Sequence, residues 1–374
     1  MADHRVLIAF HEPHFAGVGR HVLNLLDAMK GRSHQWWILC STDDDKIIRA
    51  FEDRIGKDRV TIVPAARLFS FSGFLAAVRL MREHHIHTLH IHNLQSAAWG
   101  YAASILGPCR RTVFTPHVSH IGIRELEPLF RLCWKALLPF TDAYVAVSEE
   151  QRKHLVAWGI GTEDTVFTVQ NRMDEQETMA KLAGADREAM RTSVGLPHDA
   201  VVVCQIGRLD RQKNPLFLVR VAEIVLRMVP NVFFIFVGEG RLSVRLRNTI
   251  DSLGLSERVR LLGFRSDALR VLFASDILAL SSSWEAFGYV MLEAALLKKP
   301  VVATFTEGGM ELVKEGITGF LADSEEEFAA RVIDLARSES MRERMGAAGY
   351  EHNRDLFSLA GVPNLMERVY GTSL

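Results

Sequence analysis

Cysteine is scarce in this chain. Its 374 residues hold 4 cysteines, at positions 40, 109, 133 and 204, and no CxxC pair. That excludes a disulfide-built scaffold and offers no thiolate set for a structural zinc site. No apolar run approaches the roughly 18 residues of a membrane-spanning helix. The first such run, Val6-Leu7-Ile8-Ala9-Phe10, is too short for the hydrophobic part of a signal peptide. An excess of either charge is missing too, since 44 basic and 45 acidic residues leave a net charge of -1. A dedicated nucleic-acid binder would be clearly basic, so that class is set aside. Low-complexity sequence is also scarce, and 9% aromatic residues argue against disorder. The expectation is a cytoplasmic protein of about two domains with reduced thiols, leaving room only for peripheral contact at the inner face of a membrane.

Short β-branched runs alternate with amphipathic segments. Val6–Phe10, Trp36–Cys40, Val60–Val63, Thr88–His92, Thr112–Thr115, Ala143–Val147 and Val166–Val169 are expected strands. Helices are expected between them, as at Gly19–Met29 and Gly73–Glu83. The alternation pauses over Asp174–Asp199 and restarts with strands at Val201–Ile206, Val232–Val237, Arg260–Leu262, Ile277–Ser281 and Val301–Thr304. After Ala322 only helices are expected, the last over Leu356–Tyr370 despite Pro363. Alternation of this kind predicts parallel sheets covered on both faces, the α/β class with two doubly wound units. The expected boundaries are 1–174, a linker at 175–198, a second domain at 199–345 and a helical tail at 346–374. Two such sheets each offer a strand-end edge where α/β proteins bind ligands.

Three clusters carry chemistry. Gly17-Val-Gly19 follows the first strand and opens a helix, where backbone N–H groups can approach a phosphate. A dinucleotide site would want a small residue where Val22 stands, and Asp43 after the second strand can stand in for its ribose-binding acid. Gly207-Arg208-Leu-Asp210-Arg-Gln-Lys213 ends the first strand of the second unit, and Arg208 and Lys213 bracket a turn into a helix at Pro215. Two cations beside a helix N-terminus suit a diphosphate. Glu285 and Glu293 flank Ala286-Phe287-Gly288, with Glu293 on an apolar helix where a carboxylate needs a partner. Of 15 histidines only His198 and His352 follow Asp174. A metal site among His84, His85, His87, His90 and His92 is not expected, because a strand puts only alternate residues on one face and no carboxylate or cysteine completes the set.

Together the order of these motifs resembles the retaining, nucleotide-sugar-dependent glycosyltransferases of family 4, of the two-domain GT-B architecture. The resemblance covers essentially the whole chain. It rests on Gly17-Val-Gly19, Phe114-Thr-Pro-His117, Val145-Ala-Val-Ser148, Gly207 to Lys213, Phe236-Val-Gly238-Glu-Gly240, Glu285 with Glu293, and Thr306-Glu-Gly308-Gly309-Met-Glu311. It implies two Rossmann-like domains facing across a cleft, with the tail helix crossing back to the first. It also implies that Arg208 and Lys213 hold the donor diphosphate and that Glu293 binds the ribose hydroxyls. Glu285 would sit against the donor sugar, and Ala286, Phe287 and Gly288 would offer backbone N–H groups. Gly263 and Phe264 would border the base, His117 would lie near the transferred sugar, and Gly17 and Gly19 would let the first loop close over phosphates or acceptor. Two departures stand out: Asn171-Arg172-Met173-Asp174 lacks the glycine usual at the hinge, and Ala16-Gly17 replaces a glycine pair.

The resemblance implies transfer of a sugar from a UDP- or GDP-linked donor, without a metal or other cofactor. The acceptor would be a carbohydrate, a lipid-linked saccharide or a small molecule, as in polysaccharide or glycolipid assembly. A soluble secondary metabolite as acceptor, a GT-B epimerase, a phosphorylase, a nicotinamide-dependent oxidoreductase and a silent carbohydrate binder are the alternatives. Arg67–Arg82 and Arg131–Phe140 mix aromatic and basic residues and could touch an anionic membrane. The first 174 residues carry 20 basic and 18 acidic side chains and the remainder 24 and 27, an asymmetry of a few charges.

Overall fold

A computed structural model describes residues 4–12, 17–42, 44–64, 69–117, 132, 135–136 and 138–372. It divides into two units, Met1–Met173 with Ser358–Leu374, and Asp174–Phe357.

The first unit is built on seven strands: β1 (His4–His11), β2 (His34–Ser41), β3 (Val60–Ile62), β4 (Thr88–His92), β5 (Arg111–Thr115), β6 (Ala143–Ala146) and β7 (Val166–Thr168). Their order is β3-β2-β1-β4-β5-β6-β7, and every pairing is parallel, with Val6 beside both Trp36 and Thr88. Val6 to Phe10 have no exposed surface, as a strand covered on both faces requires. Leu7 and Ala9 pack with Trp37, Leu39 and Ile91 on one face; Val6, Ile8 and Phe10 pack with Ile38 and Val113 on the other. Helices α1 (Gly17–Ala28), α2 (Asp45–Ile55), α3 (Phe71–Glu83) and α4 (Leu94–Leu106) cover the sheet. The helix Val362–Tyr370 adds Val362, Met366, Val369 and Tyr370 to the second of these cores. Arg111 fixes it by donating from Nε to the Val369 carbonyl at 2.7 Å.

The second unit has six strands: β8 (Val201–Ile206), β9 (Val232–Val237), β10 (Val259–Leu261), β11 (Ile277–Leu280), β12 (Val301–Ala303) and β13 (Gly319–Leu321). Their order is β10-β9-β8-β11-β12-β13, again all parallel. Both sheets thus reverse direction beside their first strand, between β1 and β4 and between β8 and β11. In doubly wound sheets such a switch point opens a crevice at the carboxyl ends of the strands.

The structure differs from expectation in three places. Residues 175–198, expected as a linker carrying one polar helix over 175–182, fold into two, Glu175–Ala180 and Arg187–Ser193, capped by Asp174 and Asp186. The second of them has an ionic as well as an apolar anchor. Arg187 and Arg191 grip Asp276 at 2.5 and 2.7 Å, and Val194 and Leu196 join a core cluster of the second unit. The strand β13 was not expected; it is three residues long and begins with a glycine. The segment Leu356–Tyr370 is not one helix: a 3-10 turn ends at Phe357 and a new helix starts at Val362, with Pro363 in its first turn, where the missing N–H costs nothing. Of the tail expected from residue 346, the part up to Phe357 lies in the second unit and the part from Ser358 in the first. Gly346 lies so close to the Lys298 carbonyl that a Cβ there would meet it at 1.9 Å. No helix among the described residues is long and apolar enough to cross a membrane.

Candidate functional site

In the turn after β8, backbone approaches backbone closely. Gly207, at φ 149°, donates to the Val237 carbonyl. Gly238, at φ 135°, donates to the Gly263 carbonyl at 2.8 Å, and a Cβ on it would sit 2.0 Å from the Gly207 oxygen. Only glycine fits at that crossing. The Gly207–Lys213 turn then folds onto itself, since Lys213 N–H donates to the Asp210 carboxylate at 3.1 Å and Leu209 N–H to the Glu239 carbonyl. Gln205 Nε2 and Ser281 Oγ both donate to the Lys213 carbonyl, at 2.9 and 3.0 Å. The helix Pro215–Met228 follows at once, entered through Asn214 in the left-handed region with Pro at its start.

This turn places two cations. Lys213 Nζ pairs with the Glu285 carboxylate across the switch point, with side-chain exposures of only 15% and 14%. Arg208 is 60% exposed; its Nε lies 3.4 Å from Asp210, and its Nη2 donates to Gln212 Oε1 at 2.9 Å. The guanidinium is therefore steadied yet open to a ligand, while the ammonium is nearly enclosed. A half-enclosed ion pair is where charge interactions outweigh solvent screening.

The loop after β11 completes the rim. Gln212 Nε2 donates to the Trp284 carbonyl, and the Glu285 carbonyl accepts from Gly308 N–H at 2.8 Å. Ala286 and Phe287 turn their side chains inward, at 8% and 2% exposure. Gly288, at φ 87°, starts the helix Tyr289–Leu296. Glu293 is half-buried on that helix, among buried Met291, Leu292, Ala294 and Ala295. Gly263 carries φ 68°, and Phe264 is 71% exposed beside Glu239, which accepts from its N–H at 3.3 Å. A continuous rim thus links the expected residues Gly263, Gly207, Arg208, Lys213, Glu285 and Gly288. Gln205, Asp210, Gln212, Ser281 and Gly308 were not anticipated. Their signal was available: Gln205 is the lone polar residue in an apolar strand, and Gly308 sits in a quoted motif.

The first unit contributes a different chemistry. His21 lies on α1, His92 ends β4 and His117 follows β5. His21 Nδ1 meets Asn171 Oδ1 at 2.6 Å, and His92 Nδ1 meets His117 Nε2 at 2.9 Å. Burial pushes His21 down to about 4 and His90, His92 and His117 well below the usual imidazole value, so all four are neutral near pH 7. His117 sits in the left-handed region at φ 54°. His90 and His92 do share a face, with ring centroids 4.1 Å apart. The histidines that converge are nonetheless not the run at 84–92 but His21, His92 and His117.

Glu12 takes the place expected for a ligand at the first glycine loop. Its carboxylate accepts from Val18 N–H at 3.0 Å and from Gly19 N–H at 2.6 Å. A carboxylate at a helix N-terminus satisfies both the orphan donors and the dipole. A Cβ on Gly19 would meet Ile47 Cδ1 at 2.0 Å, whereas Gly17 has open space. Asp43 lies outside the described residues, as do residues 131, 133, 134 and 137 of Arg131–Phe140 and the start of Arg67–Arg82. Asp43-Asp44-Asp45 spells an acidic pair spaced by one residue after β2, yet Asp44 serves as the cap of α2, accepting from Lys46 N–H.

Comparison with known proteins places these features. Residues 186–352 match the family model "Glycosyl transferases group 1", and residues 15–175 match "Glycosyltransferase Family 4". The chain is 35% identical over 133 residues to a UDP-Gal:alpha-D-GlcNAc-diphosphoundecaprenol alpha-1,3-galactosyltransferase of Escherichia coli, covering 35% of this chain and 34% of that one. It is 29% identical over 260 residues to a D-inositol 3-phosphate glycosyltransferase of Corynebacterium diphtheriae, covering 67% and 60%. The chain therefore spans between about a third and three-fifths of the length of these curated relatives. Among solved structures, Anabaena Alr3699/HepE in complex with UDP and glucose superposes with TM-score 0.81 at 20% identity, over 99% of this chain and 100% of that one. Sucrose-phosphate synthase of Thermosynechococcus elongatus follows at TM-score 0.77 and 17% identity, over 98% of each. These likenesses establish the GT-B fold class.

Proposed function

This chain belongs to the group 1, family 4 glycosyltransferases, and from that premise we propose that it transfers a sugar from a nucleoside-diphosphate sugar to an acceptor with retention of anomeric configuration. The observation that carries the proposal is the Lys213–Glu285 pair beside Arg208 at the switch point of the second sheet. When a glycosidic bond to a diphosphate breaks, the bonding electron pair goes to the phosphate oxygen. Lys213 and Arg208 stabilise that charge where it develops, the ammonium largely shielded from water and the guanidinium able to clamp two oxygens. The backbone N–H groups at the start of Tyr289–Leu296 add to the same effect. Before the donor binds, Glu285 holds Lys213 in place; with donor bound, Glu285 meets the sugar as an orienting and electrostatic group. Glu293 takes the ribose hydroxyls, and the Gly263-Phe264 backbone borders the base. His117 contacts the transferred sugar. No step in this proposal uses a metal. The leaving phosphate helps to take the acceptor proton, so the new bond forms on the face that the old one leaves.

The acceptor we propose is a lipid-linked or other saccharide presented at a membrane surface. Phe71, Leu75, Ile105 and Leu106 are between 50% and 65% exposed on α3 and α4, and α3 also carries exposed Arg79 and Arg82. Basic and aromatic side chains together suit an anionic interface, and the galactosyltransferase relative is named for a diphosphoundecaprenol substrate. UDP-glucose is the first donor to try, because a structural neighbour is titled for UDP and glucose. The test is incubation with UDP- and GDP-sugars and a polyprenyl-diphosphate saccharide, with the product read by mass spectrometry and its anomeric proton by NMR. An α-linked donor should give an α-linked product; a β-linked product sinks the retaining reading. Flotation with anionic liposomes tests the membrane arm, and a protein that stays at the bottom of the gradient refutes it.

A further inference from the structure

We infer that His21, His92 and His117 form a site for a first-row divalent cation of the zinc class, and that its occupancy blocks the proposed transfer. One side-chain nitrogen from each residue lies within 4.8 Å of the others. The ring centroids stand 5.4, 4.8 and 5.2 Å apart. The three residues come from α1, the end of β4 and the turn after β5, so the sheet's switch point assembles them rather than any local run.

The hydrogen bonds say which nitrogens are available. His21 Nδ1 faces a carbonyl-type acceptor, Asn171 Oδ1, and so carries the proton. Its Nε2 therefore presents a bare lone pair, and this atom is buried with no hydrogen-bond partner. His92 Nε2 is likewise buried without a partner, while its Nδ1 faces His117. A buried polar atom left unpaired keeps its full desolvation cost, and two in one cluster call for a ligand. The Asn171–His21 pair also matches the arrangement in which a second group fixes the tautomer of a metal-bound imidazole. His90 marks the edge of the site: it stacks on His92, yet both of its nitrogens are engaged, by Tyr370 and Thr115.

Imidazole nitrogens select zinc, cobalt, nickel or copper, and not magnesium or calcium, which want oxygen. Three histidines leave one coordination position open. Bonds of about 2.0–2.1 Å would draw the nitrogens to roughly 3.3 Å apart, which ring rotations supply. The inhibitory arm rests on the proposed function, because a cation on His117 withdraws that side chain from the sugar.

The test uses the full chain, freed of metal by chelation and dialysis, and Co²⁺ as the spectroscopic probe. The expected result is one saturable equivalent with the intense visible bands of low-coordinate cobalt, displaced by Zn²⁺ and unaffected by Mg²⁺. His21→Gln and His92→Gln should each weaken binding by at least about 10-fold, the scale seen even for indirect partners, while His198→Gln in the second unit leaves it unchanged. If the variants fail to fold, X-ray absorption of the zinc-loaded wild type decides, with three imidazoles expected in the scattering. Absence of saturable binding, binding unaltered in both folded variants, or a ligand shell without imidazole overturns the site. Zinc should inhibit transfer over the same concentration range in which it binds; binding without inhibition overturns the blocking arm alone. A chain with no transferase activity still yields the cobalt titration, so the two readings fail separately.

Discussion

Lys213 and Glu285 show what single residues decide here. Each was legible in the sequence, one as half of a basic pair and the other as half of a carboxylate pair. Their contact with each other was not, because 72 residues separate them and only the β8–β11 pairing brings them together. Lys213→Ala removes a donor from the developing phosphate charge, and the rate of transfer should fall roughly 100- to 1000-fold, as for loss of one oxyanion donor. Glu285→Gln keeps the shape but loses the charge that holds Lys213, and steady-state kinetics should show a fall in kcat larger than any rise in KM. Turnover near wild type in both variants would remove these residues from the site. The histidines teach the complementary lesson. His84 to His92 attract attention as a run, whereas burial and convergence single out His21 and His117, which lie 96 residues apart; His117 was legible through its motif, but its approach to His21 was not.

Turns and strand ends, more than helices, set the geometry of the second unit. Most strands and the long helices followed from apolar runs, and Thr88–His92, Val201–Ile206 and Val232–Val237 match to the residue. What failed was short. Gly319–Leu321 holds three residues and draws its stability from pairing with β12, which no local pattern reports. The helix Arg187–Ser193 is polar and short, and ion pairs from Arg187 and Arg191 to a distant Asp276 hold it. The glycine turns were legible as motifs but not as crossings. Gly238→Ala must place a methyl against the Gly207 carbonyl in a backbone region that L-residues avoid. Urea denaturation should show a loss of more than about 2 kcal/mol, with nucleoside-diphosphate affinity falling as well. Gly17→Ala, with open space around it, should be tolerated, and an equal loss at both positions would contradict this account of the turn.

At the scale of the molecule, two sheets share one winding and differ in chemistry: the first gathers neutral histidines, the second cations. That division is visible in the sequence as the desertion of histidine after Asp174. The acid response should follow from it. Burial, with nearby His34, His87 and Arg111, pushes His4 down to about 4 from its ordinary 6.5. Above pH 6.5 neither folded nor unfolded chain protonates it, so it contributes nothing there. Between pH 6.5 and about 4 the unfolded chain takes up a proton that the folded chain refuses, and stability falls as pH falls. Melting temperature should therefore decline less steeply over this window in His4→Gln than in the wild type; parallel slopes would refute the assignment. The claim on which the account stands is that the second unit binds the donor diphosphate through Arg208 and Lys213. Calorimetric titration of UDP and GDP, with thermal melting of the same samples, tests it most directly. At about 100 times its dissociation constant the bound nucleotide should add roughly 2.7 kcal/mol of stability, and a folded Lys213→Ala variant should lose most of that gain. No stabilisation by any nucleoside diphosphate, or equal stabilisation of wild type and variant, would contradict the account.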